Sequence, residues 1–132
     1  MSSKKLILNS SRNFEIIDIT SLINDEIDIK SGIVNIFSKH STSAIVVNEN
    51  ESGLLQDLGL MLGDLVSDNY SWLHDRIDNN AKSHLKSFLL SSSETIPISN
   101  GKLDLGTWQS VFFVELDGPR KNRTVNLTFI GD

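Results

Sequence analysis

Three histidines are the residues of this 132-residue chain best suited to chemistry. His40 follows an apolar run, His74 lies in a polar loop and His84 lies in a predicted helix. Imidazole nitrogens bind zinc and other divalent transition metals, and they exchange protons near neutral pH. No pair has the close spacing of a His-x-x-x-His motif, so spacing alone leaves open a metal site or separate structural hydrogen bonds.

Two acidic residues lie close to these histidines in the sequence. Glu49 lies one predicted strand after His40, and Asp75 directly follows His74. A carboxylate at either position is suited to orienting an imidazole, completing a metal site or acting as a general base. Helix capping explains Glu49 equally well, and a solvated loop explains Asp75 better.

Several other polar or aromatic side chains are candidates for binding. Trp108 and Gln109 open the most apolar segment of the chain. We expect Trp108 to lie in the core rather than against a ligand, and Gln109 to need a partner if it is buried. Lys86, Arg120 and Arg123 are suited to binding an anion such as phosphate, although surface charge is the simpler interpretation.

Composition argues against several classes of function. The chain has no cysteine, which rules out disulfides, a thiol nucleophile and thiolate metal sites. Its net charge of -5 and the lack of a basic stripe argue against nucleic acid as a partner. The first five residues lack the apolar run of a signal peptide, and no segment is long and apolar enough to span a membrane. We therefore expect a soluble cytoplasmic protein with no membrane partner.

The segment from Glu94 to Arg120 contains the clearest strand and turn signals. Residues 111–114, Val-Phe-Phe-Val, predict a central strand that is covered on both faces. Asn100-Gly101 predicts a hairpin between 95–98 and 103–105. Asp117-Gly118-Pro119 predicts a turn from the central strand into a strand over 124–130.

The remaining patterns complete an α+β domain with antiparallel β-sheets and two main helices, a single domain over residues 1–132. Strands are predicted over 6–8, 14–19, 33–37 and 44–47, and a short helix over 22–27. The main helices are predicted over 53–66 and 81–90. Their expected inward residues are Leu54, Leu58, Met61, Leu62 and Leu65 in the first, and Ala81, Leu85, Phe88 and Leu89 in the second.

A series of ordered motifs extends over almost the whole chain: His40-Ser41-Thr42-Ser43-Ala44, Asn48-Glu49-Asn50, Asn79-Asn80-Ala81 with His84-Leu85-Lys86, Ile96-Pro97-Ile98, Gly101-Lys102-Leu103, Leu105-Gly106-Thr107-Trp108-Gln109 and Asp117-Gly118-Pro119-Arg120. In these motifs the chain resembles the YjbQ-like family, described as secondary thiamine-phosphate synthases. The resemblance implies an antiparallel α+β subunit, assembly as a homotrimer and a polar cleft near subunit edges.

The same resemblance implies roles for particular residues. His40, Glu49, His84 and Gln109 would be catalytic, and His40, His74 and His84 would bind a divalent metal, either zinc or magnesium. Lys86, Arg120, Trp108 and Asn80 would contact a small phosphorylated metabolite. No organic cofactor is expected.

The expected reaction joins a hydroxymethylpyrimidine pyrophosphate to a thiazole phosphate and releases pyrophosphate. Basic side chains and a divalent cation would stabilise the charge that develops on the leaving group. Two alternatives remain open at this point. One is a non-catalytic trimeric protein that binds a metal or a phosphorylated metabolite, and the other is a metal-assisted hydrolase that uses the same histidines.

Overall fold

A computed structural model describes all residues, 1–132. It has eight strands, three α-helices and one 3₁₀ turn. The strands are β1 (Ser2–Leu8), β2 (Glu15–Asp18), β3 (Gly32–Ser38), β4 (Ser43–Glu49), β5 (Ser93–Ser99), β6 (Lys102–Leu103), β7 (Gln109–Glu115) and β8 (Arg123–Gly131). The helices are α1 (Thr20–Glu26), α2 (Ser52–Leu65) and α3 (Ala81–Leu90), and the 3₁₀ turn is Leu73–Arg76.

The strands form two antiparallel sheets. The larger sheet has the order β1-β8-β3-β5-β6, and the smaller sheet has the order β2-β7-β4. The predicted α+β class, antiparallel sheets and two main helices are therefore confirmed. No helix of the structure is long and apolar enough to cross a membrane.

The main core lies between the two sheets because alternate residues of each strand face inward. Val125, Leu127 and Phe129 of β8 pack there against Val111 and Phe113 of β7. The residues between those of β7 face the opposite side, where Val114 packs with Ala44 of β4 in a second apolar cluster. As predicted, the strand over 111–114 is buried on both faces.

Both predicted turns occur, but only one of them joins paired strands. Asn100 and Gly101 both adopt positive φ, and they join β5 to β6 in the predicted hairpin. Asp117-Gly118-Pro119 does not form a hairpin, because β7 pairs with β2 and β4 whereas β8 pairs with β1 and β3. The segment instead carries the chain from one sheet to the other. Gly118 is required there, since a β-carbon would lie 2.1 Å from the carbonyl oxygen of Arg12.

The two main helices begin and end close to the predicted positions, but their predicted inward faces are largely wrong. In α2 only Leu62 is buried, although the apolar stripe is present in the sequence. In α3 the buried residues are Ala81 and Ser83, whereas Phe88 and Leu89 are exposed. The amphipathic pattern thus identifies the helices, but within one chain much of the apolar surface is uncovered.

Candidate functional site

Three loop segments meet where the two sheets and α3 come together. The first joins β3 to β4 and contains His40, the second precedes and begins α3, and the third connects β7 to β8. Between them lies a pocket of about 380 Å³ without a hydrophobic lining residue. Its lining residues are His40, Ser41, Thr42, Asp78, Asn80, His84, Asp117, Arg120, Lys121 and Arg123. We refer to this cavity as the polar pocket.

The His40 ring is held in one orientation by a backbone hydrogen bond. The N–H of Thr124 donates to Nε2 of His40 at 2.8 Å. A neutral imidazole that accepts through Nε2 carries its proton on Nδ1, so His40 is a hydrogen-bond donor at its second nitrogen. Burial lowers the pKa of His40 below its ordinary value, and the charge of Arg123 lowers it further, while Glu115 acts in the opposite direction. His40 is therefore neutral near pH 7.

A buried ion pair supports the floor of the polar pocket. Glu115 is fully buried at the end of β7, and Arg123 is nearly so at the start of β8. Arg123 donates to the Glu115 carboxylate through Nε at 2.8 Å and also through a terminal guanidinium nitrogen. Ser10 Oγ donates to the same carboxylate at 2.7 Å, and Arg123 also donates to Thr42 Oγ1 at 3.0 Å. These bonds fix the Thr42 and Arg123 segments relative to each other.

The electrostatics of Glu115 follow from these contacts. Burial by itself would raise the pKa of the Glu115 carboxyl. The hydrogen bonds from Arg123, Ser10 and the backbone N–H of Asp117 outweigh burial and hold the pKa below its ordinary value. Glu115 is therefore ionised, and its charge balances that of Arg123.

A second set of hydrogen bonds connects four side chains along the pocket wall. The Asp117 carboxylate accepts from Asn80 Nδ2 and from the Arg120 guanidinium, both at 2.9 Å. Because Asn80 donates to Asp117 through its amide nitrogen, its amide oxygen faces His74 Nε2 at 3.0 Å. His74 therefore carries its proton on Nε2. The His74 ring in turn contacts the His84 ring edge-on, with 4.7 Å between the centroids.

The polar pocket contains the cations Arg120, Lys121 and Arg123 and the carboxylates Asp78 and Asp117, and its cations are not all paired within the chain. Arg123 is paired with Glu115, and Arg120 is paired with Asp117. Lys121 makes no ion pair, and the Arg120 side chain is about half exposed. Together with the hydroxyl groups of Ser41 and Thr42, these groups give the pocket donors suited to phosphate oxygens.

Five of the residues predicted to act in the site line the polar pocket: His40, Asn80, His84, Arg120 and Arg123. The predicted metal ligand His74 lies behind them and reaches the pocket through Asn80. The structure therefore brings together residues from three segments that are distant in the sequence.

Four other predicted residues lie elsewhere in the subunit. Glu49 and Gln109 lie opposite each other in the register of β4 and β7, at the end of β4 that is distant from His40. At the rise per residue of a strand, Glu49 is about 20 Å from Ser43, where β4 begins. Trp108, expected in the core, is 73% exposed next to them. Lys86 faces α2 on the other side of α3, where it lines a different cavity. Within one chain, none of the four contributes to the polar pocket.

The predicted zinc or magnesium site does not fit the side chains of a single chain. No three histidine, aspartate or glutamate side chains are arranged to hold a metal ion. Nε2 of His40 already accepts from Thr124, and Nε2 of His74 carries the proton shared with Asn80. The groups that a single chain supplies to the pocket are cations, carboxylates and hydrogen-bond donors.

Several side chains of the pocket were not predicted from the sequence: Ser41, Thr42, Asp78, Asp117 and Lys121. Most of them lie in or next to the two motifs His40-Ser41-Thr42 and Asp117-Gly118-Pro119-Arg120. The signal was therefore present in those motifs. It was missed because neither motif contains a spacing that is specific for one kind of chemistry.

Comparison with known proteins identifies relatives over the whole chain. A family model described as UPF0047 protein YjbQ-like matches residues 4–132. A UPF0047 protein of Methanothermobacter thermautotrophicus is 52% identical, covering 98% of this chain and 92% of the relative. A UPF0047 protein of Archaeoglobus fulgidus is 42% identical, covering 92% of this chain and 96% of the relative.

Solved structures show the same fold. A YbjQ-like protein of unknown function from Sulfolobus solfataricus superposes with a TM-score of 0.93 at 40% identity, covering 99% of this chain and 97% of that one. A hypothetical protein from Aeropyrum pernix superposes with a TM-score of 0.94 at 33% identity over the full length of both chains.

Proposed function

Because this chain belongs to the YjbQ-like UPF0047 family, we propose that it is a transferase resembling a secondary thiamine-phosphate synthase. Its phosphorylated substrate binds in the polar pocket between His40 and Arg120. The family resemblance supports the reaction, and the geometry of the pocket supports its location.

The observation that carries the location is the composition of the polar pocket. All ten lining residues are polar or charged, and they come from three separate segments. The buried Glu115–Arg123 pair fixes the Arg123 and Thr42 segments, and Asp117 orients Arg120, so these parts of the pocket are in place before a ligand arrives. Oriented donors of this kind stabilise developing negative charge more effectively than water does.

The proposed reaction places negative charge on a leaving group. The bond between the pyrimidine methylene carbon and a pyrophosphate oxygen breaks, and the thiazole nitrogen forms the new bond to that carbon. The electron pair of the broken bond remains on pyrophosphate. Arg120 and Lys121 neutralise this charge, and the Nδ1–H of His40 donates a hydrogen bond to it.

The experiment measures thiamine phosphate formed from the two phosphorylated substrates by purified, untagged protein. We expect Lys121→Ala to lower the rate about tenfold or more, because a charge-assisted hydrogen bond contributes roughly 1.5–3 kcal/mol. Lys102→Ala is the matched control, since Lys102 is an exposed lysine on β6 that lies outside the pocket. We expect this control to retain the parent rate.

Other outcomes separate the alternatives. Release of pyrophosphate that does not require the thiazole phosphate would favour a hydrolase. Binding of both substrates without turnover would favour a non-catalytic binding protein. The predicted zinc or magnesium ion is tested by elemental analysis of the parent and of His84→Ala, where loss of a bound ion in the variant would support a metal site.

We also propose that the subunits assemble as a homotrimer. The family resemblance supports this state, and so does the apolar surface of α2, where Leu60 is 70% exposed and Met61 and Leu65 are also exposed. Surfaces of this kind are usually covered in a stable assembly.

A further inference from the structure

A group of large apolar side chains next to the polar pocket lies outside both hydrophobic clusters. Phe88 on α3 is 85% exposed, and Leu73 in the 3₁₀ turn is also largely exposed. Exposed apolar side chains that occur singly are common, but several side chains around one concavity indicate a binding surface.

These side chains form a cavity of about 460 Å³, which we refer to as the apolar pocket. Its lining includes Trp72, Leu73, Ala81, His84, Leu85 and Phe88. A volume of this order is large enough for the ring of a small aromatic compound. Trp72 provides an aromatic face, and aromatic rings bind such faces by stacking or by edge-on contact.

The walls of the apolar pocket are held in place by hydrogen bonds. Trp72 donates from its indole nitrogen to the carbonyl oxygen of Ser67 at 3.1 Å. The Asp75 carboxylate accepts from the backbone N–H of Ala81 at 2.9 Å, which ties the 3₁₀ turn to the start of α3. The cavity is therefore a defined feature of the fold rather than a gap between unconnected segments.

His84 joins the apolar pocket to the polar pocket, because it lines both cavities. Phe88 lies one helical turn after His84, on the same side of α3. A single ligand that spans His84 would therefore place one end among the donors around Arg120 and Lys121, and the other end between Trp72 and Phe88.

From this continuity we propose that the apolar pocket binds the aromatic ring of a phosphorylated ligand whose phosphate occupies the polar pocket. The inference rests on the proposed function for the phosphate, and it adds Trp72, Leu85 and Phe88 as specificity-determining residues. It predicts that the protein selects phosphate esters of aromatic groups over inorganic phosphate and aliphatic phosphate esters.

The test uses phenyl phosphate and inorganic phosphate as probes of the whole protein. The chain has two tryptophans, so the Trp108→Phe variant leaves Trp72 as its only indole reporter. We expect phenyl phosphate to change the emission of Trp72 and to bind about tenfold more tightly than inorganic phosphate. Inorganic phosphate should bind without changing this emission.

Substitutions in α3 provide the matched comparison in that background. Phe88→Ala should remove most of the preference for phenyl phosphate and leave the affinity for inorganic phosphate unchanged. Leu89→Ala, an exposed neighbour that does not line the cavity, should change neither affinity.

Several results would overturn the inference. One is equal affinity for the two probes, and another is equal weakening of both affinities by Phe88→Ala. A third is a lower molar mass of the Phe88→Ala protein in solution, because that result would assign the surface to a subunit interface. If neither phenyl phosphate nor inorganic phosphate binds, both this inference and the anion-binding role of the polar pocket are wrong. If the aromatic preference is observed but no thiamine phosphate forms, the proposed reaction is wrong and the inference stands.

Discussion

His40 illustrates how a single side chain acquires a defined chemical state from its surroundings. Its Nε2 accepts a backbone hydrogen bond from Thr124, and the nearby charge of Arg123 disfavours a second proton. Near pH 7 the neutral ring is thus suited to donating a hydrogen bond from Nδ1 to an anion. The negative charge of a bound anion would in turn raise the pKa of the His40 ring. This state does not require a metal ion.

A dependence of stability on pH follows from His40. Its pKa in the folded protein lies below the ordinary histidine value, because burial and Arg123 disfavour the charged ring. The unfolded chain therefore takes up this proton first as the pH falls. The stabilisation is complete above about pH 6.5 and is lost as the pH falls towards the lower folded-state pKa.

The measurement is urea unfolding at a series of pH values between about 7.5 and 5. We expect the free energy of unfolding to fall more steeply in the parent than in His40→Asn, which lacks the titrating ring. An equal slope in the two proteins would show that His40 has an ordinary pKa.

The buried Glu115–Arg123 pair gives a prediction about stability. Glu115→Gln leaves the Arg123 guanidinium buried without its counter-charge, so we expect a loss of about 3 kcal/mol or more in the free energy of unfolding. Asp68→Asn is the control, because it breaks an exposed pair with Lys82 that solvent screens, and its stability should be close to that of the parent. Equal losses in both variants would contradict the role assigned to the buried pair.

At the level of elements, local patterns predicted which segments become strands and helices but not which strands become neighbours. The central strand over 111–114, the Asn100-Gly101 turn and the helix Ala81–Leu90 are set by nearby residues, and all three are confirmed. The pairing of β8 with β1 and β3 depends on contacts distant in the sequence. An Asp-Gly-Pro turn signal does not distinguish a hairpin from a crossing between sheets.

The residues of the candidate site were likewise predictable one by one, but their proximity in the fold was not. His40 and Arg120 lie in recognisable motifs, but only the crossing from β7 to β8 brings the second motif to the first. Glu49 was expected near His40 because one strand separates them in sequence. That strand is extended, so it places them at opposite ends of the smaller sheet. Trp108 was expected in the core because it opens the apolar central strand, but it lies before the strand in an exposed turn.

At the scale of the whole molecule, the exposed apolar face of α2 predicts that subunits assemble into a homotrimer. Light scattering should give a molar mass about three times that of the 14.7 kDa chain. We expect Leu60→Glu to lower this mass, because a carboxylate placed in a subunit interface is costly to bury. The control Lys102→Glu places the same side chain on exposed β6 and should leave the mass unchanged. A parent protein of single-chain mass would exclude the trimer.

We propose that the polar pocket, rather than the Glu49–Gln109 end of the sheet, binds the phosphorylated part of the substrate. The most direct measurement is a titration with pyrophosphate, followed by the amide chemical shifts of the isotope-labelled protein. We expect saturable shifts at His40, Asn80, Arg120 and Lys121. Shifts confined to Glu49, Trp108 and Gln109, or no saturable shift at any residue, would contradict it.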